Sequence, residues 1–206
     1  MGGGIGITPM IAMAHELHAQ GRSFALHYSG KSRAAMGYLR DLAGFAWHPH
    51  VQLHITDEGS RADLAQIMAG YGAGWHLYTC GAERYMSAVL EAAERAGFPE
   101  EARHLEYFSV PEQPDYVNHD FTLRLAKSGR DVLVPADQSA TDVLAAMGVH
   151  VDVKCSDGIC GVCKCTLVSG EVEHRDFVLS KAQRKGTMIL CQSRAAERGG
   201  VVVIDL

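Results

Sequence analysis

Residues 154–165 read KCSDGICGVCKC, and the cysteine spacing in this stretch decides how the second half of the chain is read. Cys155, Cys160 and Cys163 stand at Cys-x4-Cys-x2-Cys, and Cys191 follows at a distance. That spacing suits a [2Fe-2S] cluster, which takes two thiolates on each iron and needs main-chain amides wrapped around its sulfides. Gly158 and Gly161 lie between the ligands, where a residue without a Cβ lets the backbone approach and accepts positive φ. Zinc is the competitor, because four cysteines also bind it tetrahedrally. Structural zinc sites, however, present two short hooks, whereas here one hook carries three ligands and the other carries one. Cys165, two residues beyond Cys163, is read as a small buried residue on a strand over 164–168 rather than as a fifth ligand.

Working outward, residues 121–125 (FTLRL) alternate as a half-buried strand, 128–130 turn, and 132–134 return as a hairpin. A short helix is expected over 141–147 and a closing strand over 201–204. Residues 111–120 (PEQPDYVNHD) combine two prolines with three acids and no apolar periodicity, which is linker composition. The chain therefore divides into a first domain over 1–110, a linker over 111–120 and a second domain over 121–206.

The first domain alternates helix and strand. Helices are expected from Thr8 as cap with Pro9 in the first turn, then over 34–42, 62–69 and 82–96; strands are expected over 23–29, 51–56, 75–79 and 104–108. This is the pattern of a parallel α/β sheet. Residues 2–9 (GGGIGITP) form a glycine-rich turn opening a helix, so Gly3, Gly4 and Gly6 are placed to bring amides to a pyrophosphate. Thr79-Cys80-Gly81 ends a strand and starts a helix, at the edge where such sheets bind ligands. Cys80 is either part of that site or a buried thiol without chemistry. Arg33 is placed to reach an adenosine ribose or phosphate. Histidines 48, 50 and 54 are read as surface residues.

At these residues the sequence resembles a family. KCSDGICGVCKCTLVSGEVEHRD (154–176) and MILCQSRA (188–195) are similar to the C-terminal plant-type ferredoxin domain of the phthalate dioxygenase reductase and vanillate O-demethylase reductase family. GGIGITPM (3–10) is similar to that family's glycine loop. The resemblance implies a ferredoxin-reductase-type NAD-binding α/β domain followed by an α+β, β-grasp-type [2Fe-2S] domain. It also implies an electron path from NADH or NADPH through FMN to a cluster on Cys155, Cys160, Cys163 and Cys191, and on to a Rieske-type oxygenase. By the same resemblance, Thr8 and Pro9 lie against the nicotinamide ribose and ring, Cys80-Gly81 sits beside the departing hydride, and Phe108 covers the flavin ring. A core aromatic is the other reading of Phe108.

Two features depart from the family. No flavin motif is visible in this chain, and the strand that should feed the glycine loop is missing, so the expectation is a fragment, a misassigned start, or a separate flavin-domain chain. The alternative to a reductase is a non-catalytic ferredoxin-type carrier with a remnant nucleotide domain. Net charge is −5 with interspersed signs, so the basic stripe of a nucleic-acid binder is absent. No apolar run approaches the roughly 18 residues of a membrane span, and the first residues lack a signal peptide's basic start. A cytoplasmic location follows as the expectation.

Overall fold

Short apolar strands separated by amphipathic helices bury both most simply by parallel pairing with helices on the two faces. The computed structural model describes residues 1–72 and 74–206 and divides into two compact units, Met1–Ser109 and Val110–Leu206. In the first, β1 (Gly2–Gly3) leads through a 3-10 turn (Gly4–Gly6) into α1 (Ile7–Ala19). Then come β2 (Leu26–Gly30), α2 (Leu39–Gly44), β3 (Val51–Ile55), α3 (Leu64–Ala69), β4 (Leu77–Cys80), α4 (Glu83–Arg95) and β5 (Arg103–Glu106). The strands form one sheet in the order β3-β2-β1-β4-β5, parallel throughout.

The strand that the sequence reading finds missing is represented at the centre of this sheet by Gly2 and Gly3 alone. Gly2 pairs with Tyr28 on one side and Cys80 on the other. On one face Ile7, Met10 and Ala14 of α1 pack with Leu26, Tyr28, Trp47, Ile55 and Cys80. On the other, Met68 of α3 and Val89 and Ala93 of α4 pack with Met1 and Leu77.

Two helix expectations are corrected. The helix over 34–42 is broken into a 3-10 turn (Arg33–Ala35) and α2, because Tyr38 takes φ 61. The Tyr28 hydroxyl holds that break by donating to Gly37 O at 3.2 Å. Nor does Thr8 cap α1: the preceding turn starts the winding early, Gly6 is the cap, and the Thr8 hydroxyl donates to Ile5 O at 3.1 Å. Pro9 sits in the first turn, where its missing N–H costs nothing.

The histidines also rearrange expectation. His48 and His50 are exposed, but His54 is half-buried, its Nε2 3.0 Å from Nδ1 of the buried His27, whose Nε2 is 3.2 Å from the Tyr71 hydroxyl. A second pair, His76 and His104, meets at 2.9 Å across β4 and β5.

In the second unit β6 (Phe121–Leu125) and β7 (Arg130–Val134) form a hairpin, followed by α5 (Ala140–Ala146). Ser139 and Asp142 close a reciprocal capping box at its start. Then come β8 (Lys164–Ser169), β9 (Val172–Glu173), β10 (Thr187–Ile189), β11 (Arg194–Ala195) and β12 (Val201–Ile204). The main sheet runs β10-β8-β12-β6-β7, with β12 parallel to β6 and the other pairs antiparallel, and β9 pairs with β11 separately. Leu144 of α5 lies against Phe121, Leu123, Val132, Val134, Val202 and Ile204, all nearly sealed from solvent. Arg194 is buried as well, and its guanidinium donates to the carbonyls of His119, Gln138 and Pro135.

Burial first, then the charge of His54, lowers the His27 pKa from 6.5 to about 4. The unfolded chain therefore binds the His27 proton between those values while the folded chain does not, so stability must fall as pH drops through that window. The tryptophans, Trp47 and Trp75, both lie in the first unit. Their unfolding midpoint in urea should decline from pH 7 to pH 4.5, and His27→Gln should flatten the decline; an unchanged slope would refute the assignment.

Candidate functional site

The chain leaves β1 toward β2 on one side and returns through β4 on the other, so strand order reverses between β1 and β4. That reversal is where open α/β sheets bind ligands, beyond the carboxyl ends of the strands. Two pieces of main chain meet there, the turn Gly4–Gly6 and the step from Cys80 to Gly81. A Cβ on Gly6 would fall 2.2 Å from the Cys80 carbonyl oxygen, and one on Gly3 would fall 2.8 Å from the Tyr85 ring. Gly81 (φ 155) faces the Gly3 carbonyl, while Gly4 (φ 56) has open space where a Cβ would stand. No side chain caps the start of α1. The edge is thus built of glycine backbone and the start of a helix that no side chain caps, the makings of a phosphate cradle.

The remaining expected nucleotide residues are placed unevenly. Thr8 and Pro9 lie in the first turn of α1, beside this edge. Cys80 is 1% exposed and its thiol is held in the core, with its pKa raised by burial first and by the charge of Glu106 next. What Cys80 offers at the edge is therefore main chain. Phe108 follows β5 and is 52% exposed, which rules out the core-aromatic reading. Arg33 donates from Nε and Nη2 to the Glu58 carboxylate at 2.7 and 3.0 Å. It also borders an open hollow of about 580 Å³ with Tyr38, Leu39 and Arg40.

The four cysteines of the second unit act on one another's ionisation as two pairs, Cys155 with Cys160 and Cys163 with Cys191. The loop that brings them together needs three left-handed residues, Ser156 (φ 61), Gly158 (φ 74) and Gly161 (φ 71). Main-chain amides then turn onto sulfur. The Asp157 N–H lies 3.4 Å from Cys155 Sγ. Burial opposes ionisation of Cys155, yet the amides of Asp157, Ile159 and Cys160, with the Cys160 thiol, bring its pKa below the usual thiol value. The Cys191 thiol, aided by the amides of Cys191 and Leu190, lowers Cys163 to about 6 against the effect of burial. Cys191 is driven up in turn, by Cys163 and by burial.

This donor set fits a [2Fe-2S] cluster. All four donors are sulfur, amides are already directed at them, and two pairs supply two ligands to each of two irons. Cys165 is half-buried in β8 opposite Met188, packed against the core, with its thiol pKa raised by burial.

Sequence reasoning passed over the groups that support the loop. The Gln192 amide donates to Ser156 O at 2.7 Å, and the Phe177 N–H donates to Gly158 O at 3.1 Å. The Asp176 carboxylate, fully buried, accepts from the N–H groups of Val178 and Leu179 at 3.1 and 2.8 Å.

Residues 123–196 match the 2Fe-2S iron-sulfur cluster binding domain family. Vanillate O-demethylase oxidoreductase of Pseudomonas sp. (strain HR199 / DSM 7063) is 36% identical over 99% of this chain and 65% of its own length. Phthalate dioxygenase reductase, described as a modular structure for electron transfer from pyridine nucleotides to [2Fe-2S], superposes with a TM-score of 0.56 at 34% identity, over 100% of this chain and 64% of that one. An intact type IV self-sufficient cytochrome P450 monooxygenase superposes at 0.77 and 39% identity, over 100% of this chain and 27% of that one. The chain spans 64–65% of the length of the first curated relatives it matches.

Two outcomes follow from this geometry. Gly4→Ala should cost the first unit about 1–2 kcal/mol, the strain of a left-handed L-residue. Gly6→Ala should cost ~3 kcal/mol or more, because the obstructing atom is backbone and cannot step aside; equal urea midpoints would contradict the close approach. In the second unit, Cys191→Ser should abolish binding of two irons and two sulfides, and Cys165→Ser should leave both in place. The reverse result would reassign the fourth ligand.

Proposed function

We propose that this chain, homologous over nearly its whole length to the phthalate dioxygenase reductase and vanillate O-demethylase oxidoreductase family, is the nucleotide-side and ferredoxin part of an electron-transfer reductase serving an oxygenase. The observation that carries the reading is the presence, in one chain, of a glycine-built sheet edge at the strand reversal and a loop presenting four thiols as two pairs. The first suits a pyridine nucleotide, a two-electron donor. The second suits a carrier of single electrons.

In this reading the amides of Gly4, Gly6 and the first turn of α1 face the pyrophosphate, and the open space beside Gly4 lets the cofactor lie close, while Gly3 lets the Tyr85 ring pack beneath the turn. Thr8 and Pro9 position the nicotinamide ribose and ring. Cys80 and Gly81 bound the reacting side through their main chain, since the Cys80 thiol is turned into the core. Arg33 faces the adenosine end. Glu58 already fills its donor fork, so a 2′-phosphate would meet a carboxylate there, and this arrangement favours NADH over NADPH.

Cys155, Cys160, Cys163 and Cys191 hold the [2Fe-2S] cluster, which supplies one-electron transfer when bound. A hydride delivers two electrons at once, so a flavin must stand between nucleotide and cluster. The FMN implied by the family resemblance fills that step, and the exposed Phe108 is placed to cover its ring. The acceptor is an oxygenase, of Rieske type by the same resemblance. No helix among the described residues is long and apolar enough to cross a membrane, and a cytoplasmic setting would keep the thiols reduced.

The test uses the iron-loaded chain. NADH alone should leave the cluster's visible absorbance unbleached over minutes, and NADH with free FMN should bleach it, faster than NADPH does. Rapid bleaching by NADH in flavin-free protein would sink this electron path. Bleaching only by a separate reductase would instead favour a simple carrier.

A further inference from the structure

The motif His174-Arg175-Asp176 has no part in the electron path described above, yet Arg175 is among the least exposed charged residues of the chain, its side chain 6% accessible. Its guanidinium points at the segment before β6. Nη1 donates to the Asn118 side-chain oxygen at 2.6 Å, Nη2 reaches the Val117 carbonyl at 3.5 Å, and the group lies 4.3 Å over the Tyr116 ring. Glu173 accepts from Nε at 2.7 Å and neutralises the charge. Half of the stretch read as a free linker is thereby fastened to the second unit.

The main chain of the same residue points the other way, at the thiol loop. The Arg175 N–H faces Ser193 Oγ at 3.4 Å, two residues beyond Cys191. A Cβ on Gly158 would fall 3.3 Å from both the Arg175 carbonyl oxygen and Asp176 Cα, so these backbones are packed together. The Phe177 N–H donates to the Gly158 carbonyl, and the N–H of the adjoining Asp157 points at Cys155 Sγ at 3.4 Å. The Asp176 carboxylate fixes the turn that follows by holding the amides of Val178 and Leu179.

We propose that Arg175 is a positioning residue: by gripping Tyr116, Val117 and Asn118 it fixes the 175–177 backbone against Gly158, and so sets the adjoining amide–sulfur bond, from the Asp157 N–H to Cys155 Sγ, and the reduction potential of the cluster. This rests on the reading that the four thiols carry a [2Fe-2S] cluster. Hydrogen bonds to cluster sulfur stabilise the added electron, so loosening this one lowers the potential. The segment between the two units thus tunes the carrier it tethers.

The experiment compares full-length, iron-loaded wild type with Arg175→Gln, Arg175→Lys and the double variant Tyr116→Ala/Asn118→Ala. It reads amide hydrogen exchange over residues 112–119 together with a dye-mediated redox titration followed by the reduced cluster's paramagnetic signal. Arg175→Gln and the double variant should keep two irons per chain, exchange the segment at least ten-fold faster, and shift the midpoint potential downward together; Arg175→Lys should fall between. Faster exchange with wild-type potential and signal would make Arg175 a strap and nothing more, and unchanged exchange would remove even that. Should Arg175→Gln lose its iron, the double variant, altered outside the thiol loop, decides. A wild type that binds no iron would end the proposal together with the cluster reading, whereas the exchange arm would still report whether Arg175 holds the segment.

Discussion

Four thiols gathered by one loop and one strand end concentrate negative charge as they ionise, and most of the irregular backbone in the second unit answers to that fact. Without compensation burial pushes a thiol's pKa up, as it does at Cys165 together with the charge of Asp205. Compensation comes from amides, and amides can face inward only where the chain turns through left-handed residues. Hence Ser156, Gly158 and Gly161 stand at positive φ in a loop that no regular element could replace. The β-grasp sheet supplies the rigid frame, with Leu190 and Cys191 directly after β10 and Cys163 directly before β8. These two strands are hydrogen-bonded neighbours, so the Cys163–Cys191 pair is set by sheet register, whereas the Cys155–Cys160 pair is set by the loop.

The first unit solves a different problem with the same residue. At its centre the chain must pass between β2 and β4 and then turn at once into α1. Gly6 has no Cβ because the Cys80 carbonyl already occupies that space, and Gly3 has none because the Tyr85 ring does. Gly4 is unlike both: its Cβ would meet nothing, and only its φ demands glycine. Glycine here serves packing, packing and conformation in turn, and any phosphate-binding role is added to those requirements.

Much of this was legible in the sequence, for identifiable reasons. The cysteine spacing is a local signal, and helices such as α4 announce themselves by apolar periodicity. What escaped depends on partners far away in sequence. Gly2 and Gly3 have no strand propensity, so only their two neighbours make them a strand. The short strands β9, β10 and β11 are recognisable only by pairing. The break at Tyr38 rests on a hydrogen bond from Tyr28. The histidine pairs exist because parallel register places Ser29 of β2 opposite His54 and Tyr78 of β4 opposite His104, bringing His27 and His76 within reach. Cys80 could be placed at the ligand-binding edge from the sequence, but the direction of its thiol, into the core, depends on the helices packed against that strand.

The two buried arginines show why composition misled at the domain boundary. Prolines and acids over 111–120 read as linker because linkers are polar, but a polar segment can equally be one that buried cations hold. Arg194 takes the carbonyl of His119, and Arg175 takes Asn118 and Tyr116. A guanidinium presents five donors in a rigid fork, so it can satisfy several carbonyls of an irregular segment where a strand partner could not. Burying such a charge is costly unless it is paired or hydrogen-bonded. Glu173 pairs Arg175, whereas Arg194 is held by main-chain carbonyls, its pKa lowered by burial first and by the charge of Arg175 next. The persistence of the two charges together depends on the carbonyls and carboxylates that the segment and β9 bring, so the tether is part of what makes the second unit's interior electrostatically tolerable.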